Sequence, residues 1–113
     1  MPKPEIEFKD YDTYWEWRPV EGDTLGIKEK ILSEDPETGD YTRMLKFPPG
    51  IETKETLIHE FWEEVLIVEG TLYDIAKKET YLPGFYACRP PGMKHGPYKI
   101  PYGCVTFEIR YHK

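Results

Sequence analysis

The sequence predicts an all-β chain folded as one small β-barrel with an N-terminal extension, and three observations carry that prediction. Tyrosine is abundant, at 9 residues, and 9 glycines and 11 prolines are spread along the 113-residue chain, a composition of short strands joined by tight turns. The stretch CVTFEIRY near the C-terminus alternates, with Val105, Phe107, Ile109 and Tyr111 on one side and Cys104, Thr106, Glu108 and Arg110 on the other. No amphipathic helix longer than about two turns is readable anywhere. The length suits one domain, and 39% apolar residues suffice for one core.

Taken in order, residues 1–22 form the extension and residues 23–113 the barrel. Tyr11, Tyr14, Trp15 and Trp17 are too many large aromatics for a free tail, so this segment packs across the barrel or against a partner subunit. Asp12 starts a short helical turn that Pro19 ends. In TLGIKEKIL, Leu25, Ile27, Glu29 and Ile31 share one parity, a strand with one polar interruption. SEDPETGD supplies a turn built on Pro36 and Gly39. YTRMLKF returns as a strand, with Tyr41, Arg43, Leu45 and Phe47 on one face, and Pro48-Pro49-Gly50 ends it.

Further on, VLIV is a continuous apolar run, expected to be buried on both faces. Glu69-Gly70 turns the chain into TLYDI, and the polar AKKET loop leads to YLPGFYAC, with a turn at Pro83-Gly84. RPPGMKHGP is a rigid, irregular segment before the last strand. There is no internal repeat at a period of about 20 to 50 residues.

Composition also excludes classes of function. The net charge is −6 and the pI near 5.1, with basic residues scattered. Nucleic acid and an anionic membrane face both require a basic surface, so neither is expected as a partner. No apolar run approaches about 18 residues, and the first ten residues carry no secretory h-region. A cytoplasmic location is therefore expected, and Cys88 and Cys104 read as buried small thiols rather than a disulfide.

Two stretches carry the chemistry. Residues 50–70 hold His59, with Glu63 four positions on, and residues 83–97 hold His95 among glycines and prolines. Imidazole and carboxylate are natural ligands for a divalent first-row metal. His59, Glu63 and His95 are therefore expected to meet around one, leaving open positions for water, substrate or O₂. Strand parity and spacing favour Glu63 over Glu64, with Glu60 third. The plainer alternative makes both histidines hydrogen-bonded barrel residues. Tyr86, Arg43, Glu108 and Tyr98 are candidates for catalytic groups lining a pocket, with Cys88, Arg89 and Arg110 beside them. An inward arginine could hold a carboxylate or enolate, although a solvated outer-face arginine is commoner. Phe61 and Trp62 read as packing, Glu64 and Lys94 as surface charges, and His112 as an exposed tail histidine.

The two stretches resemble the paired motifs of the cupin superfamily. Gly50, His59, Glu63 and Gly70 fit the first, and Gly84, Pro90, Gly92 and His95 fit the second. Leu57 stands where the first motif has another histidine, and Lys99 where the second has asparagine. Within that superfamily the chain is most similar to the family named for the cupin domain of the ChrR anti-sigma factor, over residues 15–109. The likeness rests on Lys30-Ile31-Leu32, Asp35, Thr38-Gly39, Thr42, Phe47, Pro49-Gly50, Glu63-Glu64, Glu69-Gly70, Pro90-Pro91-Gly92, His95 and Gly103-Cys104.

The resemblance implies a single cupin (jelly-roll) barrel; small cupins often pair, so a homodimer is expected, with the aromatic N-terminal segment as its surface. It also implies a metal-dependent enzyme on a small-molecule carbonyl or enol substrate, with dioxygenation favoured. Fe(II) is the favoured metal, with zinc, manganese or nickel as alternatives. A non-catalytic metal- or ligand-binding module, or metal-assisted hydrolase, isomerase or lyase chemistry, are the other readings.

Overall fold

A computed structural model describes residues 2–112. The elements are α1 (Tyr11–Tyr14), β1 (Arg18–Pro19), β2 (Lys28–Glu34), β3 (Tyr41–Phe47), β4 (Ile51–Glu52), β5 (Leu57–Ile58), β6 (Trp62–Gly70), β7 (Leu72–Asp74), β8 (Glu79–Tyr81), β9 (Tyr86–Arg89), β10 (Lys94–His95), β11 (Tyr98–Ile100) and β12 (Cys104–Tyr111). They form a six-stranded sheet in the order β1-β2-β3-β12-β6-β9, a four-stranded sheet β4-β11-β7-β8 and a two-stranded ladder β10-β5. Among the described residues no strand pairing joins these sheets, so the expected barrel is made by packing sheets together rather than by a closed ladder. No helix among those residues is long and apolar enough to cross a membrane.

The interior has two halves of different chemistry. Ile67, Leu72, Tyr98, Ile100 and Cys104 form an apolar cluster, with Phe47, Ile51 and Tyr81 packed on it. These residues come from both large sheets, and burying them provides the apolar drive for stacking. Further along the six-stranded sheet the buried side chains include the polar Arg43, Glu63, Thr106 and Glu108, beside Leu45 and Val65. The alternation of β12 is as the sequence reads, and its inward side is the polar one, Cys104, Thr106 and Glu108.

Several expectations are corrected. VLIV is not buried on both faces: Val65 and Ile67 are 6% and 4% exposed, whereas Leu66 and Val68 are 39% and 44% exposed. The outer face of this sheet is only partly covered, so β6 alternates like its neighbours. The strand expected from Leu25 begins instead at Lys28. The Asp23 carboxylate accepts the backbone N–H groups of Leu25 and Ile27, and Gly26 takes φ +85°, which holds that stretch in a turn. Within β2 the buried residue is Lys30, whose Nζ donates to the Tyr11 carbonyl at 2.9 Å and lies over the rings of Tyr11 and Trp17. The helical turn is capped by Asp10 rather than Asp12, its side chain accepting from Asp12 N. Cys88 is exposed and Cys104 buried. The first falls on the outer parity of β9, opposite Glu64.

Gly70 fixes the corner between β6 and β7. It holds φ +74°, and a Cβ there would lie 2.1 Å from the Gly103 carbonyl oxygen. Gly39 also has positive φ, +77°, but opens to free space. Gly70→Ala is expected to cost at least about 2 kcal/mol, from clash plus backbone strain. Gly39→Ala should cost about 1 kcal/mol from strain alone. Urea denaturation midpoints of the two variants check this ordering.

Candidate metal centre

The two histidine-bearing stretches lie side by side. Gly92 N donates to the His59 carbonyl at 2.9 Å, and β5 pairs with β10 so that Leu57 faces His95 in register. His59 sits in the loop after β5, stacked on Phe61 with ring centroids 4.6 Å apart. His95 closes β10, and its ring centroid lies 4.9 Å from that of His59. Glu63 shares the inward parity of β6 with Val65 and Ile67 and is 2% exposed. His59, Glu63 and His95 each present one ligand atom, and the three atoms lie within 4.8 Å of one another. The Nε2 atoms of His59 and His95 are buried and have no hydrogen-bond partner. Buried polar atoms are rarely left so, because each costs about 1–3 kcal/mol. Two orphaned imidazole nitrogens beside a carboxylate are the donor set that a divalent metal satisfies, so these residues fit one.

The arrangement around the trio is ionic. Arg89 Nη1 donates to Glu63 Oε1 at 2.7 Å and Arg110 Nε to Oε2 at 2.6 Å. Both arginines lie directly across from Glu63 in register, one on β9 and one on β12. Arg89 Nη2 also donates to Tyr98 Oη at 2.8 Å, and Tyr98 Oη lies 3.4 Å from His95 Nδ1. In the tautomer that places the proton on Nδ1, this contact leaves the Nε2 lone pair free for a metal. Arg110 Nη1 donates to Tyr41 Oη at 2.7 Å. Behind it, Arg43 bridges Glu108 at 2.9 Å and Glu29 at 2.7 Å, and Thr106 Oγ1 donates to Glu108 at 3.1 Å.

Protonation follows from these contacts. Burial pushes the Glu63 carboxyl up, but Arg110 and Arg89 outweigh it and hold the group below the usual carboxylate range. Burial also lowers His59, and burial together with Arg89 lowers His95 to about 4. At neutral pH the carboxylate is charged and both imidazoles are neutral, the states in which they ligate metals.

The remaining candidates divide by parity. Tyr98 stands at the centre, between Arg89 and His95. Arg43 and Glu108 face inward but bind one another and Glu29. Tyr86 is 59% exposed on the outer parity of β9, where its hydroxyl donates to Glu64. Glu64 accepts from Tyr111 as well, so it is an anchored group rather than a free surface charge. Glu60 is exposed, and His112 is exposed and bonded to Asp40. Sequence reasoning did not assign Arg89 and Arg110 to Glu63. The sequence shows only that Arg110 shares a parity with Thr106 and Glu108 on β12; that this parity faces inward is seen in the structure.

The model of the ChrR cupin-like domain matches residues 10–112. No curated protein matches the chain by sequence. Among solved structures, an acetylacetone dioxygenase from Acinetobacter johnsonii is 21% identical, with a TM-score of 0.72 over 94% of this chain and 73% of that one. An RmlC-like cupin from Shewanella frigidimarina is 19% identical, with a TM-score of 0.74 over 97% and 93%. The structure of Rhodobacter sphaeroides SigE with the anti-sigma ChrR matches at 21% identity and a TM-score of 0.62, over 84% of this chain and 48% of that one. At these identities the likeness establishes the fold, and with the family match it supports one conclusion: the chain is a cupin and belongs to the ChrR cupin-like domain family.

Proposed function

We propose that the chain is a metal-dependent cupin enzyme acting on a small carbonyl or enol substrate, with dioxygenation as its reaction. The observation that carries this reading is the pair of orphaned Nε2 atoms on His59 and His95 beside Glu63. The structural likeness to an acetylacetone dioxygenase supports it. The trio would hold Fe(II), with zinc, manganese or nickel as alternatives, and a bound metal supplies Lewis acidity and, for iron, reactivity toward O₂.

The chain's own residues have definable parts. Arg89 and Arg110 hold the Glu63 carboxylate in one orientation from both sides. With its proton on Nδ1, His95 would donate to Tyr98, which then steadies the ring with Nε2 turned to the metal. A cavity of about 190 Å³ adjoins His95, Arg89 and Tyr98, and Val65, Ile67, Leu72, Phe85 and Met93 make its walls largely apolar. It suits a small substrate with an apolar body and its oxygen functions turned toward His95 and Arg89. With Leu57 in place of a fourth ligand, a metal held by the trio would keep positions free for substrate and O₂.

A second reading, a metal-free barrel that binds an organic ligand, is favoured by one observation: each Glu63 oxygen already receives an arginine. Oxygen uptake by Fe(II)-loaded protein with a panel of β-diketones and hydroxy-ketones separates the two. The enzyme reading expects uptake with at least one substrate, abolished in His95→Ala. Ligand binding without metal, unchanged in His95→Ala, would favour the second.

Acid sensitivity gives a further check. The folded pKa of His95 is depressed, to about 4 from an ordinary 6.5. Its contribution to stability is therefore full above pH 6.5, shrinks as the unfolded chain takes up the proton, and is gone once pH has fallen through about 4. Urea unfolding of the metal-free protein from pH 7 to pH 4 should show this decline, and His95→Gln should flatten it. For the same reason protons should displace bound metal only well below pH 6.5, as metal content after dialysis across that range will read.

A further inference from the structure

The charged groups around the trio balance without any metal. Glu29, Glu63 and Glu108 supply three negative charges, and Arg43, Arg89 and Arg110 three positive ones, linked by contacts of 2.6–2.9 Å, with Arg110 also 4.0 Å from Glu108. Glu63, Arg43 and Glu108 are 2%, 6% and 5% exposed, so their charges are not screened by water. Across the adjoining cavity stand one charge of each sign, Asp74 and Lys77. Adding a divalent cation to neutral imidazoles and a neutral ion-pair set leaves two positive charges unmatched in a poorly hydrated interior. Such an excess is unfavourable unless an anion enters with it.

The adjoining cavity offers such an anion a place beside Arg89 and His95. It opens on Arg89 and His95 and is otherwise walled mainly by Val65, Ile67, Leu72 and Phe85. Its size admits a small molecule only, about 190 Å³. We infer that this site binds its metal and a small organic anion, a carboxylate or enolate with an apolar body, as an interdependent pair, each tightening the other. The inference rests on the metal reading above and adds that the substrate enters as the charge-compensating partner. Arg110 is the positioning residue in this coupling. It holds Glu63 and supplies one of the three positive charges that already neutralise the carboxylates, so its charge counts against an added cation, while Arg89 lines the cavity.

The experiment is calorimetric titration of the full chain with Mn(II) in chloride buffer, with butyrate or with butyramide as the uncharged control. Saturating butyrate should tighten Mn(II) binding by about 10-fold or more, butyramide should have no such effect, and Mn(II) should tighten butyrate binding by the same factor. Arg110→Gln removes one positive charge. It should raise Mn(II) affinity in chloride and shrink the butyrate enhancement, whereas a merely structural role would weaken binding in every buffer. Arg110→Lys keeps the charge and should retain the enhancement, and thermal melts confirm that both variants fold. Equal Mn(II) affinity with butyrate and butyramide in the wild-type chain would overturn the coupling and leave the metal reading standing. Mn(II) binding in none of the buffers would overturn both.

Discussion

A single carboxylate organises the functional half of this molecule. Glu63 is buried to 2% exposure on β6, and the strands on either side each aim an arginine at it. Removing one partner of such a buried pair leaves an uncompensated charge and costs about 3–5 kcal/mol. The same requirement pins register. A one-residue slip of β9 or β12 against β6 would carry Arg89 or Arg110 to the outer face and strand Glu63. Through Arg89 the constraint reaches Tyr98 and then His95, and through Arg110 it reaches Tyr41.

The apolar half does different work. Ile100 is fully buried, and Ile67, Leu72, Tyr98 and Cys104 pack with it. This cluster holds the two large sheets together, while the ionic groups determine which side chains face the interior between them. Tyr98 belongs to both halves: its ring is part of the apolar cluster and its hydroxyl receives Arg89. Packing and site geometry are therefore coupled through one side chain, and the histidine it contacts is neutral because it is buried there.

Much of this was legible in the chain. The β12 alternation and the turns at Gly39 and Gly70 follow from local pattern, the meeting of the two histidine stretches is what the resemblance to the paired cupin motifs implies, and the structure reproduces all of them. What pattern does not reveal is which parity faces inward when the inward one is polar. Cys104, Thr106, Glu108 and Arg110 read equally well as a solvated face; Arg43 and Glu63 draw Glu108 and Arg110 inward, Thr106 bonds Glu108, and Cys104 packs into the apolar cluster. VLIV misled for a related reason. An apolar run implies two covered faces, but here the outer face of the sheet leaves Leu66 and Val68 exposed. Lys30 is buried because Tyr11 and Trp17, far away in sequence, fold over it. Each miss depends on a long-range partner that periodicity does not see.

The central claim is that His59, Glu63 and His95 hold a metal ion. Elemental analysis of the purified chain, beside His59→Ala, tests it most directly. The account predicts about one iron, zinc, manganese or nickel per chain in the wild type and its loss in the variant. A chain that takes up no metal even after reconstitution, or one whose metal survives in His59→Ala, would contradict it.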